Sequence, residues 1–520
     1  MVKQSILKSA LILTICGIIC RLLGAFYRVP QAVMLGASGM GNYYLIFPVF
    51  AFLISLSSSS IPQSLSKLVS ESIAKNNKKQ AKRYFVSSLF LLSIFGLICT
   101  IVLVFIAPFL SNLQGNKSLV SGYFAIAPAI FFVCLISCFR GYFQGYQTMT
   151  YSGISQIIEQ VIKISLGLFL INKLIIYGVE YAVFGSLIAI TISEIFALIY
   201  LFFSYIFFKN KLKIGEENDV LTMKESCKKI IKIALPFTLS YIIFPLALMI
   251  DSLFFVKILT NAGVSGEIAN NVFGINSGVV STLTNLPIVI STGLATAIVP
   301  AISGNIKSGQ IKVAEEKIML VLKIGFLILL PCAVLFAVFP REIIFILFGS
   351  LGNSLFDEMQ VASGMLIISS VGVLYLGIFQ ITTAILQADN KFFAPIKALI
   401  IGVLIRVLVC VCLIFVSSIN IYSISIASVV CYGFVAIYNM GVLQKDFPLK
   451  VNYNTFFIVP FFAIILMLCA CTLFKILFTT FLPLGLSYLF ALFCGGCVYI
   501  LFLFVFKAFE KREVAYLFKI

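Results

Sequence analysis

The first long apolar run of the sequence carries two arginines, within the segment CRLLGAFYRVPQAVML at residues 20–35. Arg21, Gly24 and Arg28 are spaced i, i+3 and i+7, so a helix places all three on one face. An arginine at membrane depth costs about 3 kcal/mol even on a lenient insertion scale. Because that cost is tolerated where the side chain faces protein or water, this face predicts one wall of a water-filled cationic cavity. Pro30 predicts a kink just beyond Arg28.

Three more ionisable residues lie within apolar runs of the first half: Glu159, Lys163 and Glu194. Glu159 and Lys163 are spaced i, i+4, in the order that favours an ion pair on a helix. Two interpretations stay open: the two charges neutralise each other, or Lys163 lies on the cavity wall and Glu159 tunes it. Glu194 has no cation near it in the sequence, so its partner must come from another span.

Asp251 and Arg406 lie within apolar runs of the second half. Asp251 has three open roles of similar weight: a pair with a cavity arginine, a cation ligand, or a cap near Lys257. The predicted substrate-binding cations of the cavity are Arg21, Arg28, Lys163 and Arg406. The predicted groups for conformational or ion coupling are Asp251, Glu159 and Glu194.

The composition is that of a polytopic membrane protein. Of the 520 residues, 61% are hydrophobic and 11% are charged, and the mean hydropathy is +1.13, whereas a soluble chain carries about 25% charged residues. The net charge of +18 lies in loops between apolar runs, which favours the positive-inside pattern over nucleic-acid binding. The absence of His excludes histidine relays, histidine metal sites and histidine-dependent catalysis. Cys494 and Cys497 lie in a span without a second pair, so we expect packing there and no metal site.

The apolar runs predict an all-α membrane protein of about fourteen transmembrane helices. The eighth span, Gly274–Ala301, is rich in Ser, Thr and Gly, which suits a helix that faces a cavity or packs closely on its neighbours. Lys and Arg concentrate at the N-terminus and in the loops after even-numbered spans, so both termini are predicted to be cytoplasmic. Arg21 interrupts the first run and no small-residue cleavage site follows it, which favours an uncleaved first span.

The loops divide the chain into two pseudo-symmetric halves. We predict an N-terminal lobe at residues 1–208, a basic amphipathic linker at 209–229, a C-terminal lobe at 230–450, and two further helices with a cytoplasmic tail at 451–520. Parallel six-helix repeats are a known transporter plan, with the substrate site at the interface of the repeats.

The repeat is carried by residues 143–163, which can be laid over residues 386–406. This alignment matches Lys163 of the fifth span with Arg406 of the eleventh, and it predicts a cationic cavity with two walls. The aromatic segment RGYFQGYQ at residues 140–147 follows the fourth span. It is either a short interfacial segment or a contact for a substrate headgroup, with Arg140 at the inner mouth as the candidate.

Several stretches resemble the MurJ and stage V sporulation protein B (SpoVB)-like branch of the multidrug/oligosaccharidyl-lipid/polysaccharide (MOP) exporter superfamily. They lie at residues 21–30, 41–71, 139–163 and 234–259, and the resemblance covers nearly the whole chain. It implies a flippase that moves a polyprenyl-pyrophosphate-linked saccharide from the inner to the outer leaflet by alternating access. The peptidoglycan precursor lipid II is the leading candidate, for cell-wall or spore-cortex synthesis. The resemblance also implies that the last two spans form a hydrophobic groove for the lipid tail.

The family pattern is carried over only in part. Essential arginines of the family's first span resemble Arg21 and Arg28, although Val29 stands where the family has an aspartate and the spacing differs by one residue. Some members bind sodium near the seventh, eleventh and twelfth spans. Asp251 resembles one of those ligands, whereas Arg406 occupies the place of a polar ligand, which weakens the case for sodium.

The resemblance implies a transporter rather than an enzyme, in a bacterial cytoplasmic membrane. No P-loop is present, so we expect no cofactor, and energy from the membrane potential or an ion gradient. The expected partners are the lipid-linked saccharide, membrane lipid and cell-wall synthesis enzymes.

Three alternative functions remain. An exporter of a teichoic, capsular or O-antigen precursor fits equally well. A drug/cation antiporter of the same superfamily would need an anionic cavity, and a membrane enzyme would need acidic or His groups in its outer loops, which mostly lack them.

Overall fold

A computed structural model describes residues 6–210, 220–349, 355–389, 391–449, 452–506 and 508. These residues form sixteen α-helices: α1 Ile6–Ser57, α2 Ile61–Ala74, α3 Lys78–Leu113, α4 Leu119–Gly145, α5 Met149–Leu174, α6 Val179–Asn210, α7 Met223–Asn261, α8 Gly266–Gly274, α9 Ser281–Lys307, α10 Ile311–Val338, α11 Pro340–Phe348, α12 Leu355–Ala388, α13 Phe393–Ile414, α14 Ser423–Asp446, α15 Val459–Thr479 and α16 Leu484–Val505. Single π turns occupy Ile275–Val280 and Asn454–Ile458, and single 3₁₀ turns occupy Ile175–Tyr177 and Asn420–Tyr422.

The helices pack into two compact units, Met1–Gly274 and Ile275–Ile520. In the first unit, α1 packs on α5, α7 and α8, and α4 packs on α2, α3 and α6. In the second unit, α12 packs on α9, α10 and α14, and α15 pairs with α16. The division into lobes with a linker at 209–229 stays a prediction. Residues 211–219 of that linker and 509–520 of the tail lie outside the described residues.

The all-α polytopic fold is confirmed. Thirteen stretches of the described chain are long and apolar enough to cross a membrane, and the first, Ile15–Ala74, runs through both α1 and α2. Helix α1 has 52 residues, and a straight helix of that length would measure about 78 Å, more than twice the thickness of a bilayer core. Counting the two halves of α1 separately gives the fourteen spans that we predicted.

The turn between the first two spans lies at Gly36. Pro30 is inside α1, but Gly36 is the residue at which the backbone leaves the helical region, with φ 66° and ψ −178°. No heavy atom lies within 4 Å of a Cβ built on Gly36. Glycine is therefore needed at position 36 for its backbone conformation and not for lack of space, because glycine adopts a positive φ without steric cost. The proline that we expected to kink the helix keeps helical backbone angles.

The basic stretch after the second span is partly helical. Helix α1 ends at Ser57, and α2 begins at Ile61 with Pro62 in its first turn, where a proline is tolerated. The buried face of α2 packs on α4. A Cβ on Gly145 of α4 would lie 2.6 Å from the Cβ of Val69. The absence of a side chain at Gly145 thus permits the close contact.

Helix α7 begins with a capping box. The backbone N–H and the hydroxyl of Thr222 both donate to the Glu225 carboxylate at 2.9 Å, and the N–H of Glu225 donates to the Thr222 hydroxyl at 3.3 Å. These bonds hold the pKa of the exposed Glu225 carboxyl below its usual value. Because such a cap stabilises the first turn, the lysines that follow Thr222 lie on α7 rather than in a loop.

Candidate functional site

The arginine-bearing half of α1 packs on α5. A Cβ built on Gly24 would lie 3.7 Å from Oε1 of Gln160, and one built on Gly167 would lie 2.5 Å from the hydroxyl of Tyr27. Gln160, Lys163 and Gly167 have the same i, i+3, i+7 spacing on α5 that Arg21, Gly24 and Arg28 have on α1. The middle of the predicted arginine face therefore meets α5, whereas Arg21 at its start is exposed.

Lys163 is at the centre of a charge cluster in the first unit. It is partly buried, and it lies within electrostatic range of Glu159, Glu194 and Arg28. Glu194 on α6 is 6% exposed and lies within range of Arg140 as well as Lys163. Arg140 on α4 and Lys163 on α5 are therefore the cations of other spans that lie near Glu194.

Arg140 and Glu159 form an ion pair between α4 and α5. Nη2 of Arg140 lies 2.9 Å from Oε2 of Glu159, and its Nε donates to the Ser155 hydroxyl at 3.0 Å. The Ser152 hydroxyl donates to the Arg140 carbonyl at 3.3 Å. Both charged side chains are 17% exposed. Glu159 therefore shares its charge between Arg140, to which it is hydrogen-bonded, and Lys163 on its own helix.

The charge cluster carries an excess of positive charge. In their ordinary charged forms, three cations and two carboxylates give 3 − 2 = +1, counting Arg28, Arg140, Lys163, Glu159 and Glu194. Charges removed from water need partners, and Glu159 is the direct partner of Arg140. The surplus favours an incoming anion, and guanidinium and ammonium groups bind phosphate oxygens strongly.

The other predicted site residues lie elsewhere in the fold. Arg21 is exposed on α1, two turns before Arg28. Asp251 is 9% exposed and lies on α7, in the first unit. Arg406 is 4% exposed and lies on α13, in the second unit. Helices α5 and α13 are the fifth and eleventh spans, so Lys163 and Arg406 occupy the helices that the repeat predicted. Their meeting in one cavity stays a prediction.

Two aromatic side chains of the segment at 140–147 pack inside the first unit, while its place relative to the membrane interface and the role of Arg140 as a headgroup contact stay predictions. Tyr142 and Phe143 are 2% and 0% exposed. The Tyr142 ring lies 4.6 Å from that of Phe85 on α3 and 5.6 Å from that of Tyr205 on α6, centroid to centroid. Aromatic residues near a membrane boundary can also pack inward when several helices meet there. The sequence of one segment does not show which helices it meets.

Two ionisable residues of the second unit were missed from the sequence. Lys323 on α10 is 3% exposed. Lys475 on α15 lies 2.5 Å from Oε1 of Glu342 on α11, and its ammonium is 5.9 Å from the ring centroid of Phe339 and 5.5 Å from that of Tyr488. Both lysines lie inside apolar runs, so the rule that selected Lys163 would have found them.

The model of a family described as "Polysaccharide biosynthesis protein" matches residues 6–306, more than half of the chain. The chain belongs to this polysaccharide biosynthesis family. A MatE family model also matches residues 276–412. This family member is homologous to two proteins of Bacillus subtilis (strain 168). It is 29% identical to Stage V sporulation protein B over 459 residues, which cover 88% of this chain and 87% of the relative. It is 25% identical to Lipid II flippase MurJ over 420 residues, which cover 78% and 76%.

The polysaccharide biosynthesis family member shares its fold with solved transporters. An inward-facing multidrug resistance MATE family transporter of the MOP superfamily matches with a TM-score of 0.70 at 19% identity, over 82% of this chain and 95% of the other. Lipid II flippase MurJ in an inward closed conformation matches with a TM-score of 0.68 at 18% identity, over 96% and 99%. The family model and the two relatives confirm the resemblance to SpoVB and MurJ seen in the sequence, and the solved structures support the fold.

Proposed function

We propose that this protein is a flippase for a polyprenyl-pyrophosphate-linked saccharide, with lipid II as the leading candidate. Its family and its relatives support this class, since one relative is named a lipid II flippase and another a sporulation protein. The route is alternating access from the inner to the outer leaflet of the bacterial cytoplasmic membrane, with both termini inside. The product would feed cell-wall or spore-cortex synthesis, whose enzymes are the proposed partners.

The charge cluster is the observation that carries the proposal. Arg28 and Lys163 lie on adjoining helices among groups that leave a net charge of +1, and a pyrophosphate can displace carboxylates as their partner. Glu159 and Glu194 then act as resting counter-ions, which hold the cations in place until the substrate arrives. No cofactor is needed. The membrane potential supplies about 2.3 kcal/mol per 100 mV for each charge moved.

A drug/cation antiporter is less well supported. The MATE structures match in fold, but a cation site needs surplus negative charge. Both acids of the cluster have cations within range instead. Catalysis by an enzyme is likewise disfavoured, since the relative that is named for an activity is a flippase.

The test is complementation of a bacterial strain depleted of its lipid II flippase. We expect the wild-type chain to restore growth and Lys163→Gln to fail at equal membrane abundance. Lys173→Gln is the matched control, because Lys173 is an exposed lysine in the last turn of the same helix, and it should restore growth. Normal growth with Lys163→Gln would overturn the cationic-site mechanism. Rescue only of a strain that lacks a teichoic or capsular precursor exporter would replace lipid II with that substrate.

A further inference from the structure

A cavity of about 780 Å³ lies in the first unit, apart from the charge cluster. It is lined by the start of the second half of α1, the α3–α4 and α5–α6 connections, the end of α7 and the start of α8. All of these segments adjoin the ends of odd-numbered spans, so the predicted orientation places the cavity on the outer face. Its volume is within the range of small-ligand sites.

The lining of this outer cavity is rich in neutral hydrogen-bonding groups. Amide side chains line it together with two tyrosines; they are Asn42, Gln114, Asn116, Asn261, Asn270, Tyr177 and Tyr181. An amide offers both donors and acceptors, and the side chain of Asn261 is exposed, so it can pair with the hydroxyl and acetamido groups of a sugar. The tyrosines are 70% and 58% exposed, so their rings are available to stack on the apolar face of a pyranose.

The charges of the outer cavity disfavour a phosphate ligand. One cation, Lys257, and two carboxylates, Glu180 and Glu267, line it, which gives 1 − 2 = −1 in their ordinary charged forms. This sign is opposite to that of the charge cluster. An anion would be repelled here, whereas a neutral saccharide would not.

One wall of the outer cavity is held in place before any ligand binds. Asn42 accepts hydrogen bonds from the side-chain amides of Asn116 at 3.0 Å and Asn270 at 3.1 Å. Gln114 donates to the carbonyl of Leu45 at 2.7 Å and accepts from the Tyr123 hydroxyl at 2.9 Å. These bonds join α1, the α3–α4 connection, α4 and α8, so the ligand would not have to order this wall.

We propose that the outer cavity binds the neutral saccharide part of the translocated substrate at the outer face. The inference rests on the proposed function, because a lipid-linked saccharide that has crossed the membrane presents its sugar on this side. The two sites then recognise different parts of the headgroup. The cations of the charge cluster bind the pyrophosphate, and the amides and tyrosines of the outer cavity bind the sugar.

The test measures binding of a free neutral disaccharide, N,N′-diacetylchitobiose, to the full-length protein. Saturation-transfer NMR in a sugar-free zwitterionic detergent avoids competition from maltoside headgroups. We expect binding to the wild type, and at least a tenfold higher Kd for Tyr181→Ala and for Asn261→Ala. Both residues are exposed, so their truncation should leave the fold intact. Asn172→Ala is the matched control, an exposed asparagine of α5 outside the cavity lining, and should bind as the wild type does.

Absence of saturation transfer, or an equal Kd in both lining variants, would overturn the saccharide site. Stronger binding of the cationic sugar glucosamine than of the neutral disaccharide would also overturn it. Because the measurement involves no transport, it separates the two proposals. Disaccharide binding without complementation would retain the cavity and reject the flippase, and complementation without disaccharide binding would do the reverse.

Discussion

A double-mutant cycle on Arg140 and Glu159 tests whether the charge cluster is a coupled unit. The variants are Arg140→Gln, Glu159→Gln and the combination of both. If the two side chains act as partners across α4 and α5, the combined loss of stability should be smaller than the sum of the single losses. If Arg140 instead serves chiefly as a headgroup contact, the losses should add.

The geometry sets the expected size of the coupling. Exposed ion pairs contribute about 0–1 kcal/mol, and removing one partner of a buried pair costs about 3–5 kcal/mol. The Arg140–Glu159 pair is 17% exposed on each side, so it falls between these limits. Arg140→Gln also removes the hydrogen bond to Ser155, which is worth about 1 kcal/mol. We expect each single variant to lose about 2 kcal/mol and the coupling to be about 1.5 kcal/mol.

The assay is equilibrium unfolding in mixed micelles, followed by a thiol-reactive dye. The chain has no Trp, but Cys99, Cys134 and Cys138 on α3 and α4 are buried and become reactive on unfolding. Glu71→Gln on α2 is the control, since it removes an exposed carboxylate outside the cluster. It should change stability by less than about 0.5 kcal/mol.

A coupling energy within about 0.3 kcal/mol of zero would refute the reasoning, because contacting partners in one network do not behave additively. A double variant that regains stability but not complementation would assign Arg140 a role in binding beyond its pairing with Glu159.

Three further predictions concern the predicted site and the topology. Arg28→Gln should abolish complementation at normal membrane abundance, because Arg28 is proposed to bind the substrate pyrophosphate. Arg28→Lys should also impair complementation if the contact is bidentate. Normal flipping by either variant would reject the contact that it tests. Asp251→Asn should impair transport in proteoliposomes while headgroup affinity stays within a few-fold, and a large affinity loss would place Asp251 in the binding site. In a Cys-free background, Asn116→Cys should react with an impermeant thiol reagent from outside and Asn77→Cys should not; the reverse pattern inverts the orientation.

The fold was largely predictable because its determinants are local. Apolar runs and loop charge each depend on a few neighbouring residues, and they led to the all-α fold of about fourteen spans. The requirement that Glu194 find a cation on another helix was also predictable, since a buried carboxylate rarely stays alone.

The pairing within the cluster was not predictable from one sequence. Arg140 and Glu159 are 19 positions apart and meet because α4 and α5 pack against each other. The i, i+4 spacing pointed to Lys163 as the partner of Glu159, but hydrogen-bond geometry selects Arg140. The inward packing of Tyr142 depends in the same way on Phe85 and Tyr205 from two other helices.

Gly36 connects the first two spans directly, without a loop. Its neighbours Leu35 and Ala37 are 3% and 7% exposed, so the joint is one residue long and flanked by buried residues, whereas surface loops tolerate insertions and protease cleavage. A tilt of the arginine-bearing half of α1 would therefore move the other half directly, because no flexible loop separates them. An epitope tag placed after Gly36 should therefore disrupt the protein, while one placed after Gly309, in the exposed connection between α9 and α10, should be accepted.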